Sequence, residues 1–325
     1  MIENLKDNYS RKINYLRISI TDRCNLSCSY CSSTMQKLTH GEILSYEEIL
    51  RIVRLGASIG ISKVRITGGE PFLRKGLCTL LKNISDIDGI CDIAITTNGV
   101  LLKQNINKIK ESGIKRLNIS LDTLKKEKFK IITGYDYYDQ VWEGVKDAYN
   151  AGFYPIKLNV VALHGLNDDE ILDFASLSLI YPFHIRFIEY MPIGKSQIAK
   201  KLFSHEIIDK IKILGNLIPI EKDYYDGPAS RFKIEGAKGE IGIISPVSKP
   251  FCQNCNRLRI TAAGMLRPCL LSDYQIDIKN HIRDGASDLE LINIIKDTAL
   301  NKQLKHNLSV DSLSKVNGQM SAIGG

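Results

Sequence analysis

Six of the eight cysteines in this 325-residue chain fall into two groups of three. Cys24, Cys28 and Cys31 follow a CxxxCxxC spacing, with Tyr30 directly before the last thiol. Thiolates this close can hold three corners of one iron-sulfur cubane and leave the fourth iron open to an outside ligand. A structural zinc site completes four protein ligands, which this segment alone does not supply. Cys252 and Cys255, with Cys269 after thirteen intervening residues, offer a second set of three. Cys78 and Cys91 lie in segments that read as barrel elements and are expected to be small core hydrophobes.

Two other groups could act beside these thiols. Thr67-Gly68-Gly69-Glu70-Pro71 is ordinarily a turn, but its glycines also permit close backbone approach to a ligand. Arg257, Leu258 and Arg259 follow the second CxxC, and strand alternation would point both guanidinium groups one way.

The formal charge of +8 comes from 44 basic against 36 acidic residues scattered along the chain. That allows an anionic small molecule without calling for nucleic acid. Hydrophobic content of 44% and charged content of 25% suit a globular protein. No secretory leader and no apolar run of bilayer length is found, so a cytoplasmic protein without membrane contact is expected. In that reducing compartment cysteines serve as ligands or core residues rather than disulfides.

The elements that must position these groups alternate strand and helix. Strands are expected at Tyr15–Ile20, Lys63–Thr67, Asp92–Thr96, Lys115–Ser120, Ile156–Val161 and His184–Glu189. Helices are expected after the Ser45–Glu48 capping box to Ile59, and near Leu77–Ile84, Leu101–Ser112, Tyr138–Asn150 and Asp168–Leu179. Six such units imply a parallel sheet, curved into a partial (βα)6 TIM-like barrel. Chemistry on such a fold gathers at the C-terminal rim, where Thr21, Gly68, Thr97, Ser120, Asn159 and Glu189 would fall. The alternation fades after Glu189, and Asp223–Ser230 reads as a loop. The expected division is a barrel over 5–222 and a C-terminal region over 223–325, with a short strand pair around Arg231–Ile244.

The CxxxCxYC triplet together with Thr67-Gly68-Gly69-Glu70-Pro71 resembles the radical S-adenosylmethionine superfamily. Adding Thr96-Thr97-Asn98-Gly99, Asn118-Ile-Ser120-Leu-Asp122, the second CxxC with Arg257 and Arg259, and the final Gly324-Gly325 narrows the resemblance to the GTP 3′,8-cyclase family. This family carries out the first step of molybdenum cofactor biosynthesis. The resemblance runs from about Tyr15 through Cys269 and returns at the terminal glycines.

The resemblance implies a barrel of radical S-adenosylmethionine type, with a C-terminal region carrying a second cluster. It implies two [4Fe-4S] clusters, one on Cys24, Cys28 and Cys31 and one on Cys252, Cys255 and Cys269. It assigns Tyr30, Gly69, Ser120 and Met191 to S-adenosylmethionine, with Gly69 in the turn that receives the methionyl amine. Arg17, Arg65, Thr96, Lys157, Arg257, Leu258 and Arg259 are assigned to GTP, with Arg186 a further candidate. Arg257, Arg259, Gly324 and Gly325 are given catalytic roles, the two glycines reaching into the active site.

On this pattern a 5′-deoxyadenosyl radical removes hydrogen from ribose C3′, and the guanine binds the open iron of the second cluster. The two open irons would face each other across the barrel mouth. A low-potential electron donor, handover of product to cyclic pyranopterin monophosphate synthase and a possible homodimer complete the implied partners. The chain departs from the family after Cys31, where Ser32-Ser33 replaces a Met-Pro or Arg-Pro pair. Other readings of the residues are a peptide-modifying maturase with auxiliary clusters, or a non-catalytic electron carrier. Maturases usually hold more C-terminal cysteines, and carriers normally complete their clusters with protein ligands.

Overall fold

The computed structural model describes residues 4–31, 37–194, 201–221, 227–308, 316–317 and 320–324. The expected boundary between 222 and 223, the Ser32-Ser33 departure and Gly325 lie outside the described residues.

The strands and helices of the barrel follow the expected order: β1 (Tyr15–Ser19), α1 (Tyr46–Ser58), β2 (Lys63–Thr67), α2 (Leu77–Ser85), β3 (Asp92–Thr97), α3 (Leu102–Glu111) and β4 (Leu117–Ser120) open it. A helix not expected from the sequence, α4 (Lys126–Thr133), precedes α5 (Tyr138–Asn150), and β5 (Ile156–Ala162) and α6 (Ile171–Ile180) lead to β6 (His184–Glu189). The Ser45 hydroxyl caps α1 by accepting from the Glu48 amide at 3.1 Å, and the Glu48 carboxylate returns to the Ser45 amide at 2.6 Å. That reciprocal pair satisfies two otherwise orphaned amides at the helix start.

Beyond β6 come α7 (Ser204–Ile211), β7 (Leu217–Ile220), β8 (Ser230–Ile234), β9 (Glu240–Ile244), β10 (Arg257–Ile260), β11 (Met265–Arg267) and β12 (Ile276–Asp277). The helices α8 (Ile278–Arg283), α9 (Asp288–Leu300) and α10 (Met320–Ile323) close the described chain. Among the described residues the twelve strands form one sheet, ordered β12-β11-β10-β1-β2-β3-β4-β5-β6-β9-β8-β7. The parallel run is longer than six strands, because β10 joins β1 and β9 joins β6, both in parallel. Pro219 sits in β7 at the sheet edge, where a missing amide costs no ladder bond.

Strand alternation sorts the barrel into two faces. Leu16 and Ile18, Val64 and Ile66, Leu117 and Ile119, and Ile185 and Phe187 are buried in the main core with apolar residues of the helices. Arg17, Arg65, Thr96, Ser120, Asn159 and Arg186 occupy the alternate positions and line an interior cavity. Ordinary barrels fill that interior with branched apolar side chains. Here the positions are polar and leave about 270 Å³ of cavity. Among the described residues no helix is long and apolar enough to cross a membrane.

Candidate active site

The loop after β1 carries the first triplet and is fixed from two sides. Ser27 and Ser29 donate their amides to the carbonyls of Thr133 and Ile132, both at 2.9 Å, so the end of α4 supports the loop. On the other side the glycine-rich turn pairs with the loop's start: the Gly69 amide donates to Thr21 at 2.6 Å and the Glu70 amide to Arg23 at 2.7 Å. A Cβ on Gly69 would lie 2.1 Å from the Arg23 carbonyl oxygen, and one on Gly68 2.7 Å from that of Thr21. Both glycines are therefore demanded by the cysteine loop itself, whatever ligand the turn meets.

Glu70 closes this corner. It is fully buried and accepts from the Thr97 hydroxyl at 2.9 Å, the Asn98 amide at 2.7 Å and the Phe72 amide at 3.0 Å. Burial pushes its carboxyl up to about 7 against the pull of these donors. Asn98 in turn donates to Asn25 at 2.7 Å, tying the Thr-Thr-Asn-Gly segment to the cysteine loop.

Tyr30 is set by Asp122, a residue whose motif the sequence showed without a role. The Tyr30 hydroxyl donates to one Asp122 oxygen, and the Val161 amide donates to the other at 2.8 Å. Burial raises Asp122 to about 6 and pushes the Tyr30 hydroxyl well above its ordinary value.

All six candidate ligands are free thiols lining the same cavity. Burial, then Asp122, Cys31 and Cys24, push Cys28 well above the ordinary thiol range. The second triplet differs: burial would raise Cys255, but Arg257 and Lys302 outweigh it and bring it to about 6. Among the described residues no three donors converge as a single metal ion requires. A four-iron cluster instead takes each thiolate on a separate iron, and clustered soft thiolates are its donor set. The residues present fit such clusters.

The two triplets lie along the barrel rather than across its mouth, which corrects the expected arrangement. The first follows the C-terminal end of β1, while Cys252 and Cys255 precede β10, whose Arg257 is level with Tyr15 at the start of β1. Cys269 returns to that end because β11 runs antiparallel to β10. The five residues of β1 that stand between the two sites span roughly 13 Å.

Between them stands a row of cations. Arg259, Arg17 and Arg65 are level on three neighbouring strands. Like charges directly opposite each other destabilise a sheet. Burial and Arg257 draw the Arg259 guanidinium down to about 10, so it stays charged at neutral pH. Arg65 Nε and Thr96 Oγ1 are buried without a hydrogen-bond partner. Ser120 and Met191 also line the cavity.

Lys157 is buried two residues before Asn159 on the same strand face and outside the lining itself. Burial, then Arg186 and Arg116, bring its ammonium to about 6. Leu258 departs from expectation: alternation turns its side chain into the main core, away from the cavity that Arg257 and Arg259 line. Gly324 reaches the barrel wall, its carbonyl accepting from Arg259 Nη1 at 2.7 Å.

Residues 18–178 match the model of the Radical SAM superfamily, and residues 183–308 that of Molybdenum Cofactor Synthesis C. A GTP 3′,8-cyclase of Thermodesulfovibrio yellowstonii is 48% identical, over 99% of this chain and 100% of its own length. The chain belongs to the GTP 3′,8-cyclase family. The cyclase of Alkaliphilus oremlandii agrees at 46% identity with the same coverage. As a cyclase of this family the chain uses S-adenosylmethionine and [4Fe-4S] clusters.

The fold is shared more widely than the cyclase sequence. Streptococcus suis SuiB bound to the precursor peptide SuiA superposes with a TM-score of 0.62 at 17% identity, covering 90% of this chain and 67% of SuiB. The protein anSMEcpe with bound AdoMet gives 0.59 at 14% identity, covering 87% and 82%.

Sequence reasoning placed Asn159 on the functional rim but missed Asp122, His306 and Lys302 as residues of this site or its wall. Asp122 ends the Asn-Ile-Ser-Leu-Asp segment and had a visible signal. Lys302 and His306 lie in a segment without pattern and had none.

Proposed function

We propose that this chain cyclises GTP to (8S)-3′,8-cyclo-7,8-dihydroguanosine 5′-triphosphate, the first step of molybdenum cofactor biosynthesis. The carrying observation is the level row Arg259, Arg17 and Arg65 inside one cavity that touches both thiol triplets. Such a row costs stability unless an anion lies against it, and a triphosphate supplies that anion.

On this reading Cys24, Cys28 and Cys31 ligate the first cluster and Cys252, Cys255 and Cys269 the second. Bound S-adenosylmethionine and its cluster supply the one-electron chemistry needed to break an unactivated ribose C–H bond. The protein's own work is placement. Tyr30, held by Asp122, with Gly69, Ser120 and Met191, forms the S-adenosylmethionine end of the cavity. Arg17, Arg65 and Thr96 hold the nucleotide, Lys157 adds its charge from behind the lining, and Arg257 and Arg259 line the passage to the second triplet. A cavity that runs past β1 from one triplet to the other suits a nucleotide lying along it, base toward Cys255 and ribose toward Cys28.

The same reading places the enzyme in the cytoplasm, draws electrons from a low-potential donor and passes product to cyclic pyranopterin monophosphate synthase. It also allows a homodimer. The test supplies GTP deuterated at ribose C3′ with S-adenosylmethionine and a strong reductant. Deuterium is expected in the 5′-deoxyadenosine formed, and its absence would remove the proposed reaction.

A further inference from the structure

Lys302 follows α9 in irregular chain and is 3% exposed, an unusual state for an ammonium. Its Nζ donates to the carbonyl of Arg257 at 3.0 Å and also to that of Pro268. Arg257 stands two residues after Cys255, and Pro268 directly precedes Cys269. One side chain thus joins the backbones of two thiol-bearing segments.

The third thiol is tied by Arg11. Its Nη1 donates to the carbonyl of Cys252 at 2.7 Å and to that of Leu304 at 3.3 Å. Its Nη2 donates to Gln303 at 2.8 Å and to Lys302 at 3.3 Å, while Nε pairs with the buried carboxylate of Asp7. Arg11 therefore grips the segment that carries Lys302 as well as the cysteine backbone. The bonds to Asp7, to the Lys302 carbonyl and to the Pro268 carbonyl are buried, so breaking these would leave buried polar groups unpaired.

We propose that Lys302 and Arg11 are positioning residues for the second triplet, holding Cys252, Cys255 and Cys269 in ligating arrangement through their backbones. This rests on the reading of those thiols as a cluster site. Neither side chain need touch the nucleotide. The first triplet has its own supports in α4 and the glycine-rich turn, so the effect is confined to one cluster.

The test is anaerobic reconstitution of full-length wild type, Lys302→Met and Arg11→Gln, followed by iron analysis, electron paramagnetic resonance and chelator-release kinetics. Wild type should bind about eight irons. Lys302→Met should bind about four, while keeping the spectrum that responds to S-adenosylmethionine and keeping its reductive cleavage. Lys302→Arg, which retains charge and donors, should recover iron. Arg11→Gln should release second-site iron to chelator several-fold faster, and this variant alone decides if Lys302→Met does not fold.

Full iron with wild-type release rates in the variants would overturn the proposal, and so would equal loss from both sites. A wild type with only about four irons would instead sink the two-cluster reading itself.

Discussion

Arg259 Nη1 donates to the carbonyl oxygen of Gly324 at 2.7 Å, across 65 residues of sequence and within the barrel interior. Gly324 has φ +80°, and a Cβ there would lie 2.7 Å from Thr67 Cγ2 and 3.2 Å from Ser19 Cβ. The described tail thus threads between the ends of β1 and β2 and offers its backbone to a cavity arginine. Gly324→Ala should lower cyclisation at least tenfold while leaving iron content and reductive cleavage of S-adenosylmethionine near wild type. Product chromatography beside 5′-deoxyadenosine analysis separates the two, and unchanged cyclisation would argue against the tail's part.

Gly69 is closed to any side chain by the Arg23 carbonyl 2.1 Å from its Cβ position. Gly69→Ala should cost about 1–3 kcal/mol through forced displacement of the cysteine loop. It should also lose first-site iron on reconstitution. Gly41→Ala, with nothing within 4 Å of its Cβ, should be near neutral in the same melts and is the control.

Half-buried Tyr30 and buried Asp122 form a pair beside the first triplet. Tyr30→Phe removes the donor and leaves one Asp122 oxygen unpaired, at a cost of about 1–3 kcal/mol. Chemical denaturation should show that loss with an unchanged slope, and S-adenosylmethionine affinity should fall in equilibrium dialysis. Wild-type values for both would show that the bond carries neither burden.

Lys157 gives a pH signature. Burial and neighbouring cations lower its ammonium to about 6, so it is largely neutral at pH 8 in the free protein. The unfolded chain binds that proton up to its ordinary value near 10.4, so the group lowers stability most below pH 6. The penalty fades as pH rises from 6 toward 10. A polyanion laid against it reverses the balance and draws a proton in. Calorimetric binding of GTP at pH 8, in buffers of different ionisation enthalpy, should show net proton uptake that Lys157→Met removes. An uptake unchanged in that variant would assign it elsewhere.

Much of this was legible in the linear chain because its signals are local. Thiol spacing, the capping box at Ser45 and the β1 to β6 segments depend on residues close in sequence, and each is visible at that range. α4 was not seen, since Lys126–Thr133 has too few apolar positions to stand out between two clear elements. The charged interior was reached only through the resemblance that assigns Arg17 and Arg65 to GTP, because Lys-Val-Arg-Ile-Thr reads as a strand but does not say which face turns inward.

The sequence by itself determined which groups are available for chemistry: two sets of three thiols, their arginine neighbours and a glycine-rich turn. Only the tertiary structure decided where they stand. Parallel pairing of β10 with β1 put the second triplet at the opposite end of the barrel from the first and levelled Arg259 with Arg17. The same folding brought Lys302 and Arg11 to the second triplet and showed that Gly69 is glycine for the sake of Arg23. Those relationships join residues far apart in the chain, 241 positions for Arg11 and Cys252, and such contacts are set by sheet order and packing rather than by any local pattern.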